Sequence, residues 1–184
     1  MKVLALSGSL RTGSWNTKLL HAVLPPLRER GVTVDEWDFK AAKVPIYDPD
    51  VHEQNPAPSV IDFKARLKAA HGLLIVSPEF NYSIPGSLKN LLDAASRPPK
   101  ENPFKGKLAA QMGATPGMKG TLQLQVMLRH VLVGLECLSL PGAFTLSNAP
   151  EQFDEKGGLK DPAQQKTLSA FLDKFVDELR LRAR

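Results

Sequence analysis

The chain has a single cysteine, Cys137, so no internal disulfide can form. Every apolar run falls short of the roughly 20 residues that a membrane-spanning helix needs. The short apolar run after Met1-Lys2 has neither the length of a signal-peptide core nor a cleavage-like site behind it. These absences predict a protein without a membrane partner, and the cysteine usage favours a reducing, cytoplasmic location.

Several common functional patterns are also missing. The four histidines show no metal-ligand spacing, and no GxSxG sequence marks a hydrolase nucleophile. Aromatic residues make up only 7% of the chain, and no dense basic cluster is interleaved with them, although the formal net charge is +5. We therefore interpret the charge as a solvated basic surface that attracts anionic nucleotides, and we expect neither a metal nor a nucleic-acid partner.

The chain does have a regular alternation of strand and helix patterns, which suits one domain over residues 1–184. The predicted strands are Lys2–Ser7, Thr33–Phe39, Leu73–Ser77, Lys107–Met112 and Cys137–Leu140. The predicted helices are Asn16–Gly31, Ser59–Gly72, Pro85–Ala95, Thr121–Leu135 and Pro162–Leu181, and Lys43–Pro58 is a predicted loop. This order predicts an α/β fold, a doubly wound five-stranded parallel sheet of order 2-1-3-4-5 with helices on both faces.

Three details of the helices are also predictions. Pro25 and Pro26 fall inside the first helical pattern and predict a kink or a break there. Ser59 is the expected N-cap of the second helix, and Gly72 is its expected stop signal.

The first strand leads into a loop of small and hydroxyl residues that ends where a helical pattern begins. Glycines let a backbone approach a phosphate closely, and the free N–H groups of a helix start point at the anion. The candidate donors and the one cation are Ser9, Arg11, Ser14, Asn16 and Thr17. The alternatives are an ordinary strand–helix turn rich in capping residues and, for Arg11, a surface arginine.

The loop differs from the two best-known nucleotide loops. Ser14 stands where a P-loop has its lysine, and Leu10 stands where a dinucleotide-binding GxGxxG has its second glycine. Glu36 or Asp38, toward the end of the next strand, stands roughly where a ribose partner would be expected, but the glycines that accompany such a partner are missing. The remaining features suit a single phosphate, as in a mononucleotide.

Two further loops are expected at the same edge of the sheet, because the carboxyl ends of parallel strands meet there. The third strand ends in Pro78–Gly86, a mixture of aromatics, an amide and prolines, and the fourth ends in the small residues Gly113–Gly120. Such loops can border a flat ring and hydrogen-bond its edge. A monophosphate on the first loop and a flat heterocycle between the other two describe a mononucleotide, and FMN fits best.

These residues carry a resemblance to a known family. The stretch Gly8–Asn16 resembles the GSxRxxSxN signature of the NAD(P)H-dependent FMN reductases, and Pro78–Asn90 resembles their PEYNxSxPGxLKN stretch. The third loop, Gly113–Gly120, resembles theirs as well, and the likeness runs over nearly the whole chain. The family includes quinone, chromate and azo reductases.

The resemblance implies a flavodoxin-like fold, bound FMN, NADPH or NADH as co-substrate, and a homodimer or homotetramer. It implies that Ser9, Arg11, Ser14, Asn16 and Thr17 hold the phosphate and ribityl chain. It implies that Pro78, Glu79, Phe80, Asn81 and Tyr82 line the flavin ring, with Thr115 and Gly117 at its other edge. Phe80, Ala94 and Thr115 depart from the common tyrosine, tryptophan and serine of the family.

The resulting hypothesis is an oxidoreductase that moves a hydride from a nicotinamide, through bound FMN, to a small-molecule acceptor such as a quinone, a flavin, an azo compound or chromate. The cofactor carries the chemistry, so no catalytic acid–base residue is expected. Two alternatives stay open from the sequence: a flavodoxin-like FMN-binding electron carrier, and a nucleotide-binding protein that is not an enzyme.

Single residues of the second loop also have structural interpretations. Glu79 is interpreted as structural rather than catalytic, Asn81 could simply stabilise a turn, and Tyr82 could be an ordinary half-buried aromatic.

Overall fold

Strands and helices alternate in the computed structural model, which describes residues 1–182. The strands are β1 (Lys2–Ser7), β2 (Thr33–Glu36), β3 (Gly72–Val76), β4 (Leu108–Ala114), β5 (Leu138–Ser139) and β6 (Phe144–Leu146). The helices are α1 (Trp15–Glu29), α2 (Phe39–Ala42), α3 (Pro49–Gln54), α4 (Pro58–Ala69), α5 (Gly86–Ala95), α6 (Leu122–Gly134), α7 (Ala149–Gln152) and α8 (Pro162–Arg182). A short 3-10 helix covers Pro99–Glu101.

The strands pair in the order β2-β1-β3-β4-β5, and every pair is parallel. This confirms the predicted doubly wound sheet. Since β1 lies between β2 and β3, the chain reverses its direction of winding at β1 and β3. Ligands of such sheets bind beyond the carboxyl ends of the strands at this point.

The fifth position of the sheet differs from the single strand predicted over Cys137–Leu140. The two short strands β5 and β6 share it: β5 pairs with Leu108 and Ala109 of β4, and β6 pairs with its last three residues. Pro141 and Gly142 separate them. Proline cannot donate a hydrogen bond to the ladder, and Gly142 has a φ of 87°, so regular pairing stops between them.

Alternate side chains of the strands point to opposite faces, and each face is covered by helices. One core contains Val3 and Ala5 of β1 together with buried side chains of α1 and α8. The other contains Leu4 and Leu6 of β1 together with buried side chains of α4, α5 and α6. All residues of β3 and β4 are buried, as is typical of central parallel strands.

Helix α1 continues through Pro25 and Pro26 to Glu29, so of the kink or break predicted there the break does not occur, and a kink stays a prediction. Both prolines lie in its last turns, and the buried Leu24 and Leu27 beside them keep this end packed on the sheet. Gly31 follows the C-cap Arg30 with a φ of 79°, a conformation that glycine adopts at little cost.

The stretch between β2 and α4 contains more helix than predicted. Strand β2 ends at Glu36 rather than at Phe39, because Asp38 caps α2 by accepting a hydrogen bond from the backbone N–H of Ala41 at 2.9 Å. The predicted loop Lys43–Pro58 contains helix α3. Pattern analysis misses α2 and α3 because four and six residues are too few to show a helical period.

The boundaries of α4 also differ from the prediction. Its N-cap is Ala57, not Ser59, because Pro58 occupies the first helical position, where a missing N–H costs nothing. Gly72 does not stop this helix but opens β3, where a Cβ atom would lie 2.7 Å from a methyl carbon of Leu179. This glycine therefore lets α8 pack tightly on the sheet.

Cys137 is buried just before β5, and its thiol faces the carbonyl oxygen of Phe104 at 3.4 Å. Burial raises the pKa of this thiol to about 12. The group therefore stays protonated and unreactive at neutral pH, as its apolar context predicts. Within residues 1–182, no helix combines the length and the apolar character needed to cross a bilayer.

Candidate active site

The three predicted loops lie side by side at the carboxyl ends of β1, β3 and β4. The backbone N–H of Gly8 donates to the carbonyl of Val76 at 2.8 Å, and that of Ser77 donates to Met112 at 3.0 Å. Hydrogen bonds therefore continue past the strand ends and hold the starts of the loops in register.

Two glycines allow this close approach. A Cβ atom on Gly8 would lie 2.6 Å from the hydroxyl oxygen of Ser77 and 2.9 Å from a methyl carbon of Leu88. A Cβ atom on Gly113 would lie 2.7 Å from the carbonyl oxygen of Ser77 and would overlap the side chain of Thr121. Both positions require glycine because no space exists for a side chain.

The first loop has the properties of an anion site. Ser14 caps α1 by accepting the N–H of Asn16 at 3.2 Å, and the first turn of α1 contains no acidic residue that would offset its positive end. The backbone N–H groups of Thr12, Gly13 and Ser14 have no acceptor among the described residues. They are free to bind a ligand.

A cavity of about 280 Å³ lies against this loop. The structure brings four of the five predicted phosphate residues together in its lining, namely Ser9, Arg11, Ser14 and Thr17. The hydroxyl of Thr17 donates to the hydroxyl oxygen of Ser7 at 3.0 Å, and the Arg11 side chain makes no ion pair within residues 1–182. Arg11 is thus available to an anion rather than held by a carboxylate.

The fifth predicted residue, Asn16, is placed differently. Its side-chain amide donates to the carbonyl of Ala114 at 2.9 Å and accepts the N–H of the same residue at 2.8 Å. The buried carboxamide therefore ties the start of α1 to the end of β4. This arrangement positions the loop, and a direct contact of Asn16 with FMN remains a prediction.

The cavity has a second wall, in which only Asp38 was a candidate site residue from the sequence. It is formed by the two residues between β2 and α2, Trp37 and Asp38, and by the first two residues of α2, Phe39 and Lys40. These residues follow a parallel strand and so lie at the same sheet edge as the other loops, and this position could have predicted the second wall from the sequence. Glu36, the other candidate ribose partner, instead pairs with His21 at 2.9 Å.

This second wall is firmly anchored. The buried indole of Trp37 stacks on Phe39 with ring centres 5.9 Å apart, and its N–H donates to the carboxylate of Asp62 at 2.8 Å. That hydrogen bond lowers the pKa of Asp62. Arg66 donates to Asp62 at 3.0 Å and to Asp35 at 2.9 Å, which joins α4 to β2 behind the wall.

The second loop contains a tight turn at Phe80–Ser83. Backbone hydrogen bonds of 3.1 and 3.0 Å run in both directions between Phe80 and Ser83. The central residues, Asn81 and Tyr82, have φ angles of 49° and 62°, the signature of a type I′ turn. Asparagine tolerates this conformation, whereas tyrosine rarely adopts it. The turn role of Asn81 is thus visible, and its contact with a flavin remains a prediction.

The turn leaves two aromatic side chains in solvent. Phe80 is 57% exposed and Tyr82 is 71% exposed. Tyr82 is therefore not a half-buried core aromatic. A strained backbone that presents two exposed rings at a ligand-binding edge is typical of a functional site, because aromatic faces can stack on a planar ligand.

Glu79 has a structural partner in this loop. Its carboxylate accepts the backbone N–H of Leu124, in the first turn of α6, at 3.0 Å. Thr121 occupies the N-cap position of α6, but its side chain does not accept a backbone N–H of the helix. Its hydroxyl instead accepts a hydrogen bond from the side chain of Gln125 at 2.9 Å. Glu79 therefore caps α6 from a distant loop and links the second loop to the element that follows the third.

We expect Glu79→Ala to lower the free energy of unfolding by about 1 kcal/mol, because α6 loses its cap and a favourable charge at its positive end. Glu79→Gln keeps an acceptor oxygen and should lose less. Urea unfolding of the full chain measures both values. Equal stability of Glu79→Ala and the unaltered chain would contradict this capping role.

The third loop is ordered by its own backbone and by the segment before α7. The N–H of Gly117 donates to the hydroxyl oxygen of Thr115 at 3.2 Å, and its carbonyl accepts the N–H of Asn148 at 3.1 Å. The backbone carbonyl of Thr115 in turn accepts the N–H of Ala149 at 3.0 Å. The loop is exposed at Gly117, where a ligand can approach the backbone.

The first loop and the residues after β2 line a donor-rich cavity that suits a phosphate, and the second loop offers an exposed aromatic edge for a ring, so the residues present fit FMN. The family model described as NADPH-dependent FMN reductase matches residues 1–151. The chain belongs to this family. It is therefore a flavodoxin-like oxidoreductase that uses FMN and NAD(P)H, and the predicted enzyme class and cofactors are confirmed.

Curated relatives agree with this assignment. The chain is 42% identical to an NAD(P)H-dependent FMN reductase of Pseudomonas aeruginosa over 166 residues, which covers 88% of this chain and 85% of that protein. It is 33% identical to a quinone reductase of Pseudomonas putida over 183 residues, covering 97% and 95%.

Among solved structures, the chain is similar to a flavoenzyme NAD(P)H:acceptor oxidoreductase from Paracoccus denitrificans. The TM-score is 0.85 and the identity is 30%, with 98% of each chain covered. A flavodoxin from the domain Archaea, with a TM-score of 0.66 and 13% identity, shares the fold alone. Membership of the reductase family favours the enzyme over the electron carrier and over a nucleotide-binding protein without activity.

Proposed function

We propose that the protein is a quinone reductase, which oxidises NAD(P)H and reduces a small quinone at one shared binding face. The observation that carries this proposal is the exposed edge formed by Phe80 and Tyr82 in the second loop. A flat, mostly apolar acceptor can stack there. Relatives named quinone reductases, which match almost the full chain, support the same acceptor class.

The proposed placement of FMN follows the two halves of the site. The phosphate would be held by Ser9, Arg11, Ser14 and Thr17, with the free N–H groups of Thr12–Ser14, while Asn16 positions the loop. The ring would lie along Pro78–Tyr82, with Thr115 and Gly117 at the opposite edge.

Bound FMN would supply the redox chemistry by accepting electrons from the nicotinamide and delivering them to the quinone. The residues of the chain bind and orient. Backbone N–H groups of the second and third loops would stabilise negative charge at the edge of the bound ring without the cost of reorienting solvent. Glu79 is occupied by its bond to Leu124, so it is not offered as a proton donor.

Steady-state kinetics test the acceptor class. The FMN-loaded full chain is assayed with NADPH and NADH against benzoquinone, free FMN, an azo dye and chromate. We expect parallel lines in double-reciprocal plots, because both substrates use one face in turn, and the highest kcat/KM with benzoquinone. A higher kcat/KM with any other acceptor would contradict the quinone assignment.

A variant of the exposed turn tests where the acceptor binds. Glycine tolerates the φ of 62° at position 82, so Tyr82→Gly removes the ring and leaves the turn intact. We expect kcat/KM for benzoquinone to fall about tenfold, as loss of an aromatic contact of roughly 1.5 kcal/mol implies. Leu181→Ala, which removes an exposed apolar side chain on α8, is the control. Unchanged kcat/KM in Tyr82→Gly would place the acceptor elsewhere.

We also propose a cytoplasmic homodimer or homotetramer in which residues 1–184 act as one domain. Exposed apolar side chains in and just before α3 support self-association, with Ile46 at 89% and Val51 at 59% exposure. Asn90 of α5 holds the loop before α3. Its side-chain amide donates to the carbonyl of Pro45 and accepts the N–H of Tyr47, each at 2.7 Å. The single cysteine supports a reducing location.

A further inference from the structure

The cavity at the first loop contains more positive charge than Arg11 alone. Lys40, in α2, belongs to its second wall, and its ammonium group donates a hydrogen bond to the hydroxyl of Thr12. Lys18 also lines the cavity, although its ammonium group lies over the ring of Trp15 at 4.4 Å. Lys40 is thus the cation that the fold brings to the tip of the loop from a separate element.

No carboxylate within residues 1–182 forms a salt bridge with Lys40. Among the described residues that line the cavity, only Asp38 is acidic, and its carboxylate accepts the N–H of Ala41 at 2.9 Å. Lys40 has three donor hydrogens, and the contact with Thr12 uses one of them. Two donors remain for an anion in the cavity.

The position of Lys40 is fixed by its neighbours in the chain. Phe39 is buried and stacks on Trp37, whose indole is held by Asp62. The backbone at Lys40 is therefore anchored, and only the flexible side chain needs to move when a ligand enters. Because only the side chain of Lys40 has to be ordered when an anion binds, little conformational entropy is lost.

We propose that Lys40 is a second cationic contact for the phosphate of FMN and that it strengthens the preference for FMN over riboflavin. A phosphate monoester carries a charge of about −1.5 to −2 at neutral pH, so one arginine neutralises only part of it. The two cations approach from different elements, Arg11 from the first loop and Lys40 from α2. The proposal rests on the proposed placement of the phosphate in this cavity.

Titration of the flavin-free full chain with FMN and with riboflavin tests this role, with flavin fluorescence as the readout. Lys40→Gln should weaken FMN binding about tenfold and change riboflavin binding less than about twofold, because only FMN carries the phosphate. Its FMN affinity should also depend less steeply on salt concentration. Lys43→Gln, which removes an exposed lysine at the end of the same helix, should bind both flavins as the unaltered chain does.

The outcomes separate this inference from the proposed placement of FMN. If Lys40→Gln binds FMN as tightly as the unaltered chain, the role of Lys40 is wrong and the placement stands. Equal losses for FMN and riboflavin would also overturn it, since they indicate a structural effect. If the unaltered chain binds FMN no more tightly than riboflavin, the phosphate site itself is wrong.

Discussion

Arg11→Gln is expected to weaken FMN binding on the order of 100-fold and to leave riboflavin binding nearly unchanged. The Arg11 side chain is exposed, lines the cavity and makes no ion pair within residues 1–182. A guanidinium can donate two parallel hydrogen bonds to a phosphate, and charged hydrogen bonds are worth roughly 1.5–3 kcal/mol each. Equilibrium titration of the flavin-free chain measures both affinities.

The control for Arg11→Gln is Arg28→Gln, which removes the same charge from an exposed position in the last turn of α1. Both variants should unfold at the same temperature as the unaltered chain in the absence of flavin, because neither loses a buried contact. An FMN affinity that is the same in both variants would show that general charge, not the cavity, attracts the phosphate.

The second large effect concerns stability. Gly113→Ala is expected to lower the free energy of unfolding by about 2–4 kcal/mol, since overpacking a buried position forces neighbouring atoms to move. The new Cβ atom would meet the carbonyl oxygen of Ser77 at 2.7 Å and would overlap Thr121. The backbone oxygen of Ser77, directly after β3, cannot rotate away, so β4 or α6 must shift.

Gly134→Ala is the matched control. This glycine ends α6, and alanine favours a helix. Beyond the helix's own backbone and the neighbouring residues, no atom of residues 1–182 lies within 4 Å of the position that the added methyl group would take. Urea unfolding should show equal or higher stability for Gly134→Ala and a lower midpoint for Gly113→Ala. If the two variants are equally stable, the close approach of β4 and α6 is not required by the fold.

Much of the sheet could be predicted from the sequence because its strands are apolar and its loops are marked by small residues. The run Leu73–Val76 has no polar side chain, and the structure buries all of it. The order of the strands followed from the alternation with helices. The split of the last strand was not predicted, because two and three residues give no reliable pattern and the effect of Pro141-Gly142 depends on the neighbouring β4.

The site was predicted in part. Hydroxyl residues before a helix indicate a phosphate loop, and Ser9, Arg11, Ser14 and Thr17 do meet at one cavity. Asn16 looks the same in sequence, but its amide bonds to Ala114, a contact between residues 98 positions apart. Lys40 was missed for a similar reason. Its place in the cavity depends on how β2 and α2 pack, and no local pattern encodes that packing.

The most direct test of a flavin-dependent reductase is the visible spectrum of the purified full chain before and after anaerobic addition of NADPH or NADH. We expect oxidised-flavin bands, present on purification or after FMN is added and the excess removed, and loss of those bands when the nicotinamide is added. Retained bands with both nicotinamides would contradict a reductase. The absence of flavin bands after FMN addition would contradict the cofactor site itself.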